Sequence, residues 1–334
     1  MTSKISRALL LGVAFCLNAV LLHAGERPAA KDLLLSAHEI SSLSKLMSYK
    51  LDAAFVVNPG RPSEKKGHLT IYREQDRWRS ELIIEGYREV RLILGSNQYV
   101  SRSGPFFSGS LSMLARLDQA WDKLSDFDGK ETSRVSQKKF KGRSVECFDV
   151  KLANKQQLCF DSEQKVLAQI NYDHGPMLQF SDYSSFEQTA FPRTIAIVLN
   201  TQDNREGPSV REIRVSDIQI LKAQFAEGAF DVPEHSREFE TCPNQVYPKK
   251  LSEPSMFGNV PMRMGSWTTI SIYGIVGKDG VVQDVTVAVN PPDARAVAAA
   301  ELWARQIKYS PAICGSKSVA AEMNIEIQTL LPIN

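Results

Sequence analysis

The residues whose types and spacing could do chemistry are few. Ser42-Leu43-Ser44-Lys45 has the Ser-x-x-Lys spacing in which a lysine lies one helical turn from an acylating hydroxyl. The Ser-Asp-Asn and Lys-Thr-Gly groups that complete such a centre occur nowhere in the chain. His23, His38, His68, His174 and His235 are scattered, and His38-Glu39 lacks the second histidine of a zinc-binding His-Glu-x-x-His. Asp173-His174 reads as a polar loop pair, and neither a phosphate-cradling Gly-x-x-x-x-Gly-Lys-Ser/Thr nor a Gly-x-Ser-x-Gly elbow is present. The expectation is a protein without catalytic residues, metal or cofactor, one that works by binding.

Cysteine chemistry is more informative. Of five cysteines, Cys16 lies in the leader described below, and the bulky Phe15 before it argues against lipoprotein processing there. The other four are an even number, suited to an oxidising compartment. Cys147 and Cys159 sit symmetrically about Ala153 in a stretch with hairpin character, so they fall opposite each other. Directly opposed strand residues have Cβ atoms about 4.5–5.5 Å apart, close enough for a disulfide after some pinching. Phe148, Val150, Leu152, Leu158 and Phe160 then share the core face, with the cysteines on the polar face beside Asp149, Gln157 and Asp161. Cys242 is left to pair with Cys314.

The elements that must position these residues belong to an exported protein of two folded parts. At 334 residues, 43% apolar and 23% charged, the chain has ordinary globular composition and room for two domains. Lys4 and Arg7 account for the formal charge of +2, and the other basic residues balance 38 acids, so no overall field attracts nucleic acid. Residues 1–24 read as a signal peptide: a basic start, an apolar run from Ala8 to Leu22, and Ala24 before the cut. That run is shorter than the ~20 residues of a membrane span, so a periplasmic location is expected, with inner-membrane anchoring by an uncleaved segment as the alternative.

Residues 29–48 have the spacing of an amphipathic helix. From Tyr49 to about 235, strand-like runs alternate with turn clusters such as Asn58-Pro59-Gly60, and Leu111, Leu114, Leu117 and Trp121 mark a helix within 105–124. Lys130 to Arg143 holds six basic residues against Glu131 alone, a solvated hairpin or a surface for anionic headgroups. Many consecutive antiparallel strands with one or two helices predict a curved sheet or open β-barrel. The opening helix, Asp76-Arg77-Trp78-Arg79-Ser80-Glu81-Leu82, Tyr183 with Phe191-Pro192-Arg193-Thr194-Ile195, and Phe230-Asp231-Val232-Pro233 together resemble the LolA/LolB-like family of periplasmic lipoprotein carriers. That resemblance implies an apolar cavity under a helical lid that holds a lipid or acyl chain, with Trp78, Leu82, Ile84, Leu92, Leu94 and Phe180 as candidate lining.

Residues 236–256, with Pro243, Pro248 and Pro254, read as a linker. Beyond it, Ile270, Ile272 and Val276 alternate as in a strand, and Asp279-Gly280 centres a tight turn. Val285, Val287 and Val289 form a second strand, Asp293 caps a helix to about Gln306, and Met323, Ile325 and Ile327 lie on a third strand. Gly277-Lys278-Asp279-Gly280-Val281-Val282, Asp284-Val285-Thr286-Val287, the alanine-rich helix and Tyr309-Ser310-Pro311-Ala312 resemble the TonB family C-terminal domain. Ile307 stands where that family usually has an aromatic, and no proline-rich spacer precedes the domain. The resemblance implies that this part engages an envelope protein partner by strand addition, the partner-binding strand being Met323, Ile325, Ile327 and Leu331. The chain is thus expected to be α+β: a LolA/LolB-like domain over 25–235, and a TonB-like domain over 257–334 with one helix on a three-stranded antiparallel sheet. Its expected role is that of a periplasmic adaptor in envelope transport, or alternatively a carrier of lipid or lipoprotein.

Overall fold

The computed structural model describes residues 30–104, 109–122, 124, 132–151, 155–172, 176–199, 212–242, 245–254, 267–290 and 292–330. The leader and the Asp173-His174 pair lie outside them.

Helix α1 (Ala30–Ser41) buries Leu33, Leu34 and Ala37 and is followed by a 3-10 turn at Leu43–Lys45. The helix expected over 29–48 therefore stops at Ser41. Ser42 Oγ accepts the N–H of Ser44, a local bond that competes with helix continuation.

Strands β1 (Ser48–Val57), β2 (Lys65–Glu74), β3 (Arg77–Ile84), β4 (Tyr87–Leu94) and β5 (Asn97–Ser103) form one meander. Helix α2 (Gly109–Leu114) and a 3-10 turn (Leu117–Ala120) come next, a broken helix where a continuous one was expected. A second meander follows: β6 (Thr132–Phe140), β7 (Arg143–Lys151), β8 (Lys155–Asp161), β9 (Leu167–Tyr172), β10 (Pro176–Phe186), β11 (Thr189–Leu199) and β12 (Glu212–Leu221). Pairing of β1 with β12 joins the two, and β13 (Arg237–Glu240) adds beside β5. Among the described residues the result is one open antiparallel sheet of thirteen strands, with β13 and β6 as its edges.

Strand alternation explains how the sheet makes a core. Tyr49, Leu51, Ala53, Phe55 and Val57 are buried on one face of β1, and the paired residues of the neighbouring strands continue that face. This inner face, α1 and the 111–124 segment share a single apolar cluster. Across the outer face of β2 to β5 runs the chain from Phe225 to Glu234: Phe225 stacks edge-on Tyr72, Phe230 lies under Arg77, and Arg79 donates to the Asp231 carbonyl.

The C-terminal part has its own core. β14 (Lys250–Ser252) pairs with β17 (Lys308–Tyr309), and β15 (Trp267–Val276), β16 (Val282–Asn290) and β20 (Ala321–Leu330) make a sheet ordered β16-β15-β20. Helix α3 (Ala294–Gln306) packs on that sheet through Ala296, Ala300, Trp303 and Ala304, and β18 (Ala312–Cys314) and β19 (Lys317–Val319) form a small hairpin. Asp293 caps α3 as expected, its carboxylate accepting the N–H groups of Arg295 and Ala296. Gly280, at φ +79°, sits where a Cβ would meet the Tyr309 carbonyl oxygen at 2.1 Å, so the turn admits only glycine.

Both disulfides form as expected, Cys147–Cys159 across β7 and β8 and Cys242–Cys314 at the base of the C-terminal part. Phe148, Val150, Leu158 and Phe160 face the main core, while Leu152 lies outside the described residues. The cysteines' own face is not polar at this point: the bridge is fully buried with Val145 and Ala168. Of the residues read as a linker, Arg237–Glu240 pair with β5, Lys250 and Ser252 pair with β17, and the Pro254 carbonyl accepts from Trp303 Nε1 at 2.7 Å.

Candidate functional site

The inner face of the large sheet, with the segment that covers it, brings together more buried chemistry than any other described part of the molecule. Strand register sorts its residues into rows. One row runs Leu51, Ile71, Ser80, Arg91, Val100 across β1 to β5, and the next runs Ala53, Leu69, Leu82, Glu89, Arg102. The same face is apolar over β1–β3 and charged over β4–β5.

The apolar half is filled by the cover. Leu111, Leu114, Leu117 and Trp121, the residues whose spacing predicted a helix, are buried against it, and the Trp121 ring lies 5.1 Å from Phe180 and 4.8 Å from Phe191. Among the described residues, side chains of the cover occupy the space where the carrier resemblance implies an open apolar cavity. A hollow of about 260 Å³ does open at the surface, but near the β6–β7 hairpin between Phe140, Arg143 and Asp182.

Polar pins hold the cover down. Asp118 accepts from Tyr49 Oη at 2.7 Å and Trp78 Nε1 at 2.8 Å, both bonds falling on Oδ2. Burial pushes the Asp118 carboxyl above the ordinary carboxylate range against those two donors, and pushes the Tyr49 hydroxyl up as well. Asp122 accepts from Ser42 Oγ at 2.6 Å and from Arg73 at 3.3 Å. Ser42 is thus committed to this contact, while Lys45 Nζ turns away to the Glu39 carbonyl at 2.6 Å, so the Ser-x-x-Lys spacing assembles no nucleophile and base. Arg116 donates to Gln98 at 2.9 Å and lies 3.8 Å from Glu322 of β20.

The charged half meets the C-terminal part. On the C-terminal sheet, Ile270, Ile272 and Met323 face α3, so Tyr273, Ile275, Glu322 and Glu326 face the other way. Glu322 accepts from Arg91 Nη1 at 2.5 Å, Arg102 Nη2 at 2.8 Å and Gln98 Nε2 at 3.3 Å. Glu89 accepts from Arg91 Nε, from Arg102 Nε at 2.8 Å and from Tyr87 Oη at 2.6 Å. Burial opposes both carboxylates, but the arginines outweigh it and hold each near a pKa of about 2. The Arg102 guanidinium also stacks 3.9 Å over the Tyr273 ring, and Val100, Phe239 and Ile275 make a small apolar patch beside it. Glu326 has no such help: burial raises its pKa to about 7 against a single N–H from Gly109 at the start of α2.

The residues singled out from the sequence divide. Trp78, Leu82, Ile84 and Phe180 lie on the inner face in the main core. Leu92 and Leu94 lie on the outer face, because Tyr87, Glu89, Arg91 and Ile93 take the inner positions of β4, and Leu94 borders the strap around Phe225 and Phe230. Met323 is buried against α3, Ile325 and Ile327 partly so, and Leu331 lies outside the described residues.

No family model matches this chain, and neither does any curated protein. Solved structures do resemble it. A LolA superfamily protein from Nitrosomonas europaea is 12% identical over 61% of this chain and 98% of that one, with a TM-score of 0.43. A DUF1329 family protein from Desulfovibrio piger is 13% identical over 59% and 92%, at 0.38, and MucB in complex with MucA(peri) is 15% identical over 84% and 98%, at 0.25. Likeness at this distance carries no ligand or partner across to this chain.

Sequence reasoning missed Asp118, Glu89, Arg91, Arg102 and Glu322. A signal for the first was there, since Asp118 and Asp122 flank Trp121 inside an apolar helical stripe. The signal for Glu89 and Arg91 was their phase with Tyr87 and Ile93, but Val90, Leu92 and Leu94 offered an equally apolar alternative.

Proposed function

We propose that this protein is a non-catalytic binding protein of an oxidising, extracytoplasmic compartment that accepts an apolar chain such as a lipid acyl group on its inner face. One observation carries this reading: the space over the apolar half is filled by a segment outside the sheet, a six-residue helix and a 3-10 turn fastened by Asp118, Asp122 and Arg116. Lifting that segment breaks these side-chain bonds and uncovers apolar surface on both sides, and among the described residues the segment belongs to no sheet ladder. The surface it uncovers is apolar, and burial of each CH₂ there contributes ~0.8 kcal/mol, so an acyl chain can replace Leu114, Leu117 and Trp121. Two disulfides, Cys147–Cys159 and Cys242–Cys314, fit an oxidising compartment. Among the described residues, no helix is long and apolar enough to cross a membrane.

The test is native mass spectrometry of protein recovered from the compartment to which it is exported, with titration of the delipidated protein by cis-parinaric acid. Co-purifying acyl species and saturable binding with one site are expected. An empty protein that shows no saturable binding would sink the reading.

A second reading follows from β20, which among the described residues pairs on one side only, with β15. Its outer edge can take a partner's extended segment by strand addition, as the TonB resemblance implies, with pairing along Met323 to Ile327 and onward. Backbone amide protection of β20 that rises on adding an envelope protein extract fraction, and not on adding lipid, separates this adaptor role from the carrier role.

A further inference from the structure

The charged end of the inner face is unbalanced within its own part of the molecule. Glu89, Arg91 and Arg102 belong to the large sheet and Arg116 to the cover, which leaves three guanidiniums around one carboxylate. The second carboxylate, Glu322, comes from β20, and it sits in the fork of Arg91 at 2.5 and 3.2 Å with Arg102 at 2.8 Å. That is how arginine holds a planar carboxylate or a phosphate. The patch also abuts the apolar floor, since Leu82 pairs with Glu89 and Ser80 with Arg91. At this end of the face, then, an apolar filler and an anion lie side by side, and both are supplied by the chain itself.

We infer that Arg91 and Arg102 form the headgroup subsite for an anionic amphiphile, with Glu322 standing in for its anion and Leu114, Leu117 and Trp121 for its chain. The inference rests on the acyl-binding reading above and deepens it: the ligand class is a carboxylate or phosphate on an alkyl chain. The protein competes with that ligand at two places at once. Apparent affinity is lowered by the fraction of molecules in which β20 and the cover are in place. Docking of Glu322 and occupancy of the headgroup subsite are therefore mutually exclusive, so an anionic ligand that binds loosens the C-terminal part.

The experiment measures binding of dodecyl phosphate, dodecanoate and the uncharged dodecyl maltoside, each below its micelle concentration, to the full mature chain and to Glu322→Gln and Arg102→Gln. In Glu322→Gln the anions are expected to bind about tenfold tighter or more, and the maltoside to change by no more than about threefold, because only the anion gains the vacated guanidiniums. The larger gain of the two anions tells phosphate from carboxylate. Arg102→Gln, on β5 and outside the cover, is expected to weaken the anions about fivefold or more relative to the maltoside. Equal gains for charged and uncharged amphiphiles in Glu322→Gln would overturn the headgroup subsite while leaving the acyl-binding reading intact. Absence of binding by all three amphiphiles to every variant would overturn both. If Glu322→Gln does not fold, as judged by circular dichroism, Glu322→Asp and Arg102→Gln decide: an unchanged preference between dodecyl phosphate and maltoside in both removes the subsite.

Discussion

The two halves of the inner face are built from the same strand geometry and solve burial in opposite ways. Over β1–β3 the inward positions are Leu51, Ala53, Leu69, Ile71 and Leu82, and the 111–124 segment covers them with more apolar surface. Over β4–β5 the inward positions include Glu89, Arg91, Gln98 and Arg102 beside Tyr87, Ile93 and Val100, and β20 covers the charged group with a carboxylate. The first half accepts any apolar filler of about the right shape, because burial of apolar area is non-directional. The second accepts only a group that returns charge and hydrogen bonds at fixed points, because a buried charge left unpaired is costly. A site with both halves is thus permissive toward the chain of a ligand and selective toward its head.

The largest blow to this contrast comes from emptying the apolar half. Trp121→Ala is expected to lower the stability by about 4 kcal/mol through loss of buried area and a cavity against Phe180 and Phe191. A urea melt checks this, and an effect below about 1 kcal/mol would show that the cover is not a working part of the core.

Breaking the charged half should act through the partner left behind. Glu322→Ala is expected to cost about 3 kcal/mol, because Arg91 and Arg102 stay buried without their carboxylate. The double variant Arg91→Met with Glu322→Met is expected to recover most of that loss, since an apolar pair of similar volume removes the orphaned charge. A denaturant-based double-mutant cycle reads the coupling, and strict additivity would show that the pair does not interact.

A smaller, pH-dependent effect sharpens the comparison within β20. Glu326 has a pKa raised from 4.5 to about 7 by burial, so the docked state holds a proton that the free carboxyl has lost. Its contribution to stability is therefore present below about pH 4.5 and is lost as pH rises through about 7. Glu322 and Glu89, held near 2, lose theirs only in stronger acid, so of these three carboxylates only Glu326 titrates between pH 5 and 8. The melting temperature of the wild type is expected to fall across that interval relative to Glu326→Gln. Parallel profiles for the two proteins would remove the effect.

The smallest expected change lies outside the comparison and serves as its control. Asp293→Ala removes two capping bonds from α3 and is expected to cost about 1 kcal/mol in the C-terminal part alone. Acyl binding at the inner face should not change. A change there would mean that the C-terminal part acts through its helix and not through Glu322.

Much of this architecture was legible in the chain because local rules fix it. Alternation placed Phe148, Val150, Leu158 and Phe160 on the core face, the symmetry of Cys147 and Cys159 about a turn paired them, Asp293 capped its helix, and Asp279-Gly280 turned the C-terminal hairpin. Each of these depends on residues within a few positions of one another. The phase of β4 was beyond such rules. Its sequence, Tyr-Arg-Glu-Val-Arg-Leu-Ile-Leu, is apolar in both phases at one end, and hydrophobicity alone favours Val90, Leu92 and Leu94 as the inner set. The fold turns them outward because the strap around Phe225 and Phe230 buries that side, and turns Glu89 and Arg91 inward because Glu322, more than 200 residues away, supplies the missing charge. A buried charge is tolerated only where its counter-charge arrives, and that arrival is a property of the tertiary structure, which no local stretch of sequence contains.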